Sequence, residues 1–188
     1  LRKVHLMNLE EKQLSAEYIY KGKIIRLRRD TALLPNGNTA VREVIEHNGG
    51  VCVAALTDDD EVLFVKQFRY PYMEEILEIP AGKRDSLDED PLECGKRELK
   101  EETGATAQKF IPLGELYPTP GYCGEIIWMY AALGLTFGQQ NPDDDEFLEV
   151  TKIPLEKAVE MILNGEIKDA KTQAAILKLK LLKDSGKI

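Results

Sequence analysis

The chain has 188 residues, 43% hydrophobic and 31% charged, with a formal net charge of −8 at pH 7. That length suits one medium domain, or one domain with a small appendage, and is long enough to bury a sizeable core. The composition is that of a soluble globular protein, and the acidic balance speaks against a nucleic-acid backbone as partner. A small anionic substrate stays open if metal ions supply the positive charge.

At the start, "LRKVHL" lacks the apolar stretch of a secretory leader, and Met7 opens "MNLEEK" as a natural start would, so residues 1–6 are expected to be an addition. "EYIYKGKIIRLRRDTALLPNG" reads as two short strands with a turn at Gly22, followed by a second turn at "PNGN". "TAVREVIEH" alternates loosely. "GGVCVAAL" is a buried strand of small and β-branched residues. "DDDE" is a turn, "VLFVKQFRY" another strand, and "EILEIPAG" a short strand or helix ending in a turn. Next, Asp90-Pro91-Leu92-Glu93 is a helix start: a capping Asp, Pro at the first helical position, and Glu three residues after the cap. Gly104 is the matching stop, so the helix covers 91–103. "QKFIPLGELYPT" and "EIIWMYAALGL" are strands around the loop "PTPGYCGE", and Trp128 is expected in the core. "NPDDDEFLEVTKI" is an acidic loop entering a strand. "PLEKAVEMILNGE" is an amphipathic helix from Pro154 to near Gly165, and "DAKTQAAILKLKLLKDSG" a last helix with an apolar stripe through Ala175, Leu179 and Leu182. Strands mixed with helices predict an α/β (α+β) sandwich. The strands before residue 45 form a separate small sheet.

Cys52, Cys94 and Cys123 are odd in number and far apart, and His5 and His47 are not spaced as a metal pair. Reduced thiols in a cytoplasmic protein fit this pattern better than disulfides or a zinc cluster. No apolar run approaches the length of a membrane span.

The helix after Asp90 is unusual. Leu92, Gly95 and Leu99 share one face, suited to packing on a sheet. Glu98, Glu101 and Glu102 occupy a single arc of roughly 100° beside it. Like charges at this spacing cost roughly 0.2–0.5 kcal/mol per pair in an isolated helix. A solvated face is the plain explanation of such a run. A hard cation that removes the repulsion is the alternative, and Mg²⁺ favours carboxylate oxygens.

Three features beside the carboxylates shift the balance. Gly82 stands at a turn after "IPA", Arg97 directly precedes Glu98, and Gly104 closes the helix. The whole stretch resembles the Nudix box, G-x5-E-x7-R-E-U-x-E-E-x-G-U with U apolar. Here it reads Gly82, Glu89, Arg97-Glu98-Leu99-Lys100-Glu101-Glu102-Thr103-Gly104-Ala105. Seven residues separate Glu89 from Arg97, as in the family, whereas six rather than five separate Gly82 from Glu89. The resemblance covers nearly the whole chain and extends to the ADP-ribose pyrophosphatase branch. It rests on Glu78-Ile79-Pro80-Ala81-Gly82, on Gln67-Phe68-Arg69, and on Pro120 sixteen residues past Gly104 in "TPGYCGE". "DDDEFLEV" and "EIKDAKTQAAI" complete it.

The resemblance implies a Nudix-type α/β/α sandwich over 46–188, with a mixed sheet. A small antiparallel sheet over 1–45 would serve dimerisation and substrate contact. It implies Mg²⁺-dependent cleavage of ADP-ribose, with Mn²⁺ a substitute, to AMP and ribose 5-phosphate. GDP-mannose, another ADP-sugar or a dinucleotide could replace ADP-ribose, and a non-catalytic nucleotide-sensing module on the same fold is the alternative from another class. Glu98, Glu102, Glu101 and the Ala81 carbonyl are the implied metal ligands, with Arg97 holding the glutamates in place. The general base is expected in the acidic loop, Glu146 first and Asp144 second, with Glu101 next if neither serves. Arg69 offers a planar fork to the diphosphate. Arg42 and Glu43 face substrate or are merely the exterior of a strand; Pro120, Gly121 and Glu125 form the expected substrate loop. Tyr18, Tyr20, Phe68 and Tyr70 stack on adenine or belong to core and rim. The partners implied are a small nucleoside diphosphate sugar and a second copy of the chain, with neither nucleic acid nor membrane.

Overall fold

Two glycine turns and a run of alternating residues build the first sheet. In the computed structural model, which describes residues 8–142 and 146–188, β1 (Lys12–Lys21), β2 (Arg26–Leu33) and β3 (Thr39–Glu46) pair antiparallel in that order. The first turn closes with Gly22 N–H donating to Ile25 O at 2.9 Å, the second with Gly37 N–H donating to Leu34 O at 2.9 Å. β1 is exposed along its whole length. Cross-strand ion pairs such as Arg29–Glu17 at 2.6 Å line the sheet.

The remaining elements are β4 (Gly50–Ala55), β5 (Glu61–Arg69), β6 (Glu74–Glu78), β7 (Ala81–Lys83), α1 (Pro91–Thr103), β8 (Ala105–Leu116), β9 (Ile127–Phe137), β10 (Leu148–Pro154), α2 (Leu155–Leu163) and α3 (Ala170–Asp184). "EILEIPAG" is thus strand rather than helix. Two sheets result, in the orders β10-β5-β6 and β7-β4-β9-β8. Among the strands of the described residues β4 and β9 pair parallel and the other pairs are antiparallel.

Strand periodicity explains the layering. β4 is buried on both faces. Its Cys52 and Ala54 join Val62, Phe64, Ala158, Ile176 and Leu179 in the larger core, on the side of α2 and α3. Val53 and Ala55 point the other way, into a second cluster with Leu63, Leu99 and Ala105 on the side of α1. Alternate side chains of one strand therefore serve two helical layers, which makes an α/β/α sandwich around a mixed sheet. Cys52 and Cys94 are buried free thiols, and burial pushes each up to about 12.

The chain divides into two units. The smaller takes the chain through His47 together with Thr119–Glu125; the larger takes Asn48–Pro118 and Ile126–Ile188. Within the smaller unit the Pro120 loop is tied to β3, since Ile45 N–H donates to Tyr122 O at 2.8 Å and Gly124 N–H to Ile45 O at 2.9 Å. No helix among the described residues is long and apolar enough to cross a membrane.

Candidate active site

The carboxylate helix starts where its cap dictates. Asp90 accepts hydrogen bonds from the backbone N–H of Leu92 and Glu93, a contribution of about 1 kcal/mol. Gly104 ends the helix at φ 69°, and its N–H donates to Lys100 O. A side chain there would also strike Gly138 O, 2.5 Å from an added Cβ, so the position has two reasons to be glycine.

With Leu99 buried against the sheet, Glu98 and Glu102 are carried into the interior, 7% and 2% exposed. Gly82 makes room for the first: a Cβ on it would lie 1.9 Å from Glu98 Cδ. Ala81 N–H holds the second, donating to Glu102 Oε2 at 2.9 Å. Burial drives both carboxyls up, Glu98 to about 7 against the pull of Arg97, and Glu102 to about 8 against the Ala81 hydrogen bond. The negative charge of Glu146 adds to the rise at both.

Arg97 gathers the rest. Its Nη1 lies 2.8 Å from Glu98 Oε1 and 2.9 Å from Glu101 Oε2, and its Nη2 is 3.3 Å from Glu89 Oε1. Burial opposes its charge, but Glu98 and Glu101 outweigh that and raise its pKa. The six-residue loop between Gly82 and Glu89 is organised by Arg84. Its guanidinium donates to Glu89 O at 2.8 Å, to Asn48 O at 3.3 Å and to Leu87 O, and lies over the Trp128 ring at 4.9 Å. Trp128 is half-buried, not the core residue its apolar strand suggested, because alternate residues of β9 turn to opposite faces and Ile127 and Met129 take the buried one.

The residues fit a divalent cation in kind. Two buried carboxylates with raised pKa values want a positive charge that Arg97 supplies only in part, and hard oxygen donors suit Mg²⁺ or a similar ion. Glu98, Glu102 and Glu101 with the Ala81 carbonyl would hold it. Among the described residues no three such side chains converge on one point: Arg97 holds Glu101, while Glu102 turns to Ala81.

The acidic loop is pinned to the end of α1. Gly138 N–H donates to Gly104 O at 2.8 Å, Asn141 N–H to Glu101 O at 3.0 Å, and Gln140 Nε2 to Glu102 O at 2.6 Å. These bonds use the free carbonyls that every helix C-terminus leaves. The strand after the loop, β10, pairs with β5, placing Leu148 opposite Gln67. Glu146 therefore hangs, exposed, between two fixed ends. Asp144 lies outside the described residues. Lys96, Lys100, Arg97 and Glu101 also line a groove of about 660 Å³ with Phe110 and Asn141.

Arg69 ends β5 in the same unit, and its charge opposes, without reversing, the rise that burial imposes on the Glu102 carboxyl. The Nε–Nη2 edge of its fork is taken by Glu78, an engagement that sequence spacing does not reveal. Arg42, Glu43, Pro120, Gly121 and Glu125 all belong to the smaller unit. Arg42 is held by Glu11 at 2.6 and 2.9 Å, Glu43 is exposed, and Glu125 lies 3.5 Å from His47. Tyr18, Tyr20, Phe68 and Tyr70 are exposed rather than core.

Comparison with known proteins places these features in context. Residues 39–176 match the NUDIX domain model, and residues 11–45 match that of the nucleoside diphosphate sugar hydrolase N-terminal domain. An ADP-ribose pyrophosphatase of Bacillus subtilis is 41% identical over 94% of this chain and 96% of its own. A methanol dehydrogenase activator of Bacillus methanolicus is 38% identical over 92% of this chain and 94% of its own. A solved structure described as an ADP compounds hydrolase superposes with a TM-score of 0.82 at 21% identity, covering 96% of this chain and 99% of that one.

Proposed function

Since this chain belongs to the Nudix family, whose hydrolases generally use divalent metal ions, we propose that it is a pyrophosphohydrolase that cuts ADP-ribose to AMP and ribose 5-phosphate. The observation that carries the proposal is the pair of buried carboxylates, Glu98 and Glu102, seated against Gly82 and Ala81. The match of residues 11–45 to a nucleoside diphosphate sugar hydrolase N-terminal domain supports the substrate class.

The reaction adds water across one P–O–P linkage. A divalent ion, Mg²⁺ with Mn²⁺ as substitute, would when bound neutralise phosphoryl oxygens and lower the pKa of water. Glu98, Glu102, Glu101 and the Ala81 carbonyl would hold that ion, and Arg97 fixes Glu98 and Glu101 through its guanidinium. Glu146 accepts the proton of the attacking water at a carboxylate oxygen. A base on a tethered loop can close over substrate without disturbing the ligands on α1. Arg69 takes a phosphate oxygen. Arg42, Glu43, Pro120, Gly121 and Glu125 contact substrate from the N-terminal region, 1–45, and its neighbouring loop. The chain works as a homodimer in the cytoplasm, on a small molecule, without nucleic acid or membrane.

A panel of nucleotide sugars tests this, with phosphate counted after phosphatase treatment, since the products but not ADP-ribose carry terminal phosphates; nucleoside triphosphates, which the phosphatase itself attacks, are followed by chromatography of their products. With Mg²⁺, ADP-ribose should show a higher kcat/KM than GDP-mannose, diadenosine polyphosphates or nucleoside triphosphates, and EDTA should abolish turnover. A triphosphate as best substrate would overturn the substrate class; activity persisting in metal-free buffer would overturn the metal's role. The methanol dehydrogenase activator among the relatives favours a second reading, stimulation of a dehydrogenase. Adding this chain to methanol dehydrogenase and following its rate would test it.

A further inference from the structure

Beside the carboxylate helix, but apart from it, four charged side chains form a second buried assembly. Glu78, at the end of β6, is 2% exposed. Its carboxylate receives Nε and Nη2 of Arg69 at 2.6 and 2.7 Å, and Nζ of Lys171 from the first turn of α3. Lys171 also lies 3.0 Å from Asp169, the cap of α3. The charges balance, two of each sign.

Removing such a quartet from water is costly, and an apolar contact could join β6 to α3 as well. What the charged version adds is direction. A guanidinium gripped along its Nε–Nη2 edge by a buried carboxylate is fixed in its plane. The Arg69 side chain nevertheless remains 37% exposed. Among the described residues its Nη1 has no hydrogen-bond partner. One edge of the fork is thus anchored and the other is offered outward.

The anchor is continuous with the site. Glu78 opens a segment held at every following residue: Ile79 N–H donates to Thr172 Oγ1 at 3.0 Å, Val53 N–H to Pro80 O at 2.9 Å, and Ala81 N–H to Glu102 at 2.9 Å. Glu78 sits only three residues before the backbone that seats Glu102, and α3 braces both.

We propose that Glu78, itself held by Lys171, is a positioning residue that sets Arg69 so that its free Nη1 edge receives a phosphate oxygen of the nucleoside diphosphate. The ligand's identity rests on the function proposed above; the positioning rests on the geometry. Glu78 acts only through Arg69, so the two substitutions cannot be independent.

The test is a double-mutant cycle read by calorimetric binding of the non-hydrolysable α,β-methylene analogue of ADP-ribose, with Mg²⁺, well below each variant's melting temperature. Arg69→Met should weaken binding about tenfold or more, and Glu78→Gln by a similar factor, in the range typical of groups that orient ligands. In the Arg69→Met background, Glu78→Gln should then change binding less than twofold. A purely architectural Glu78 would lower the melting temperature and leave binding alone, and that result overturns the proposal. So do additive losses, an unaffected Arg69→Met variant, or a wild-type chain that does not bind the analogue. Should Glu78→Gln fail to fold, Lys171→Met enters the same cycle with the same expectation. A wild type that binds the analogue with these dependences but does not cut ADP-ribose would refute the proposed reaction and leave the positioning role standing. Hydrolysis with an additive cycle would do the reverse.

Discussion

Gly82→Ala separates the fold from the chemistry. An added Cβ would stand 1.9 Å from Cδ of Glu98 and 2.0 and 2.4 Å from its two oxygens. Non-bonded carbons rest at about 3.5 Å or more, so the Glu98 carboxylate must retreat by about 1.5 Å. Gly82 does not have a positive φ, and alanine there brings no backbone strain. The displaced atoms are the end of a side chain that can rotate away. The melting temperature should therefore fall by no more than a few degrees. Function should suffer far more. A misplacement of about 1 Å can cost about 10²-fold in rate, and disturbing what orients a ligand costs about 10–100-fold in metal affinity. We expect kcat/KM for ADP-ribose to fall about 10²-fold, with the Mg²⁺ concentration for half-maximal rate rising about tenfold or more. The assay is a Mg²⁺ titration of the rate beside a thermal melt followed by circular dichroism. Unchanged rate and Mg²⁺ dependence would refute the placement of Glu98 against Gly82. An unfolded variant would refute the claim that only a side-chain end is displaced.

The other expectations concern the base, the buried charges and the assembly. Glu146→Gln should lower kcat by roughly 10²–10⁴ with KM moved far less; Asp144→Asn should cost less, and the reverse order would exchange their roles. In metal-free protein, Glu98 and Glu102 hold protons up to about 7 and 8, where the unfolded chain has already lost them above about pH 4.5. The native state then binds more protons than the unfolded one, so stability falls as pH rises through that window, by about 1.4 kcal/mol per pH unit for each extra proton. Urea melts between pH 5 and 8 should show this decline, Mg²⁺ should offset it at pH 8, and Glu102→Gln should flatten it; stability rising across the range would contradict the assignment. Equilibrium sedimentation should give about twice the 21.2 kDa chain mass, since two-fold dimers are the commonest closed assembly, and a fully active monomer would remove the role proposed for residues 1–45.

Local chemistry is what the sequence by itself could determine. The Asp90 cap, Pro91 and the Gly104 stop set α1 to Pro91–Thr103, because a helix end is decided by a few adjacent residues. The spacing of Glu98, Glu101 and Glu102 placed three carboxylates on one arc, because helical geometry is fixed at 3.6 residues per turn. The small and β-branched residues of "GGVCVAAL" pointed to a buried strand, and β4 is buried along its length. The tertiary structure alone decided what each side chain meets. Glu78 and Lys171 are 93 residues apart, and no periodicity relates β6 to the first turn of α3. Arg69 is fixed by a carboxylate from the neighbouring strand, Trp128 lies on the less buried face of β9 under the Arg84 guanidinium, and Gly82 is required by Glu98 rather than by its own turn. The three carboxylates that share an arc also part company in space: Arg97 holds Glu98 and Glu101, and Ala81 draws off Glu102. Such contacts depend on strand order and on which helix covers which face, and these are settled only when the sheets assemble.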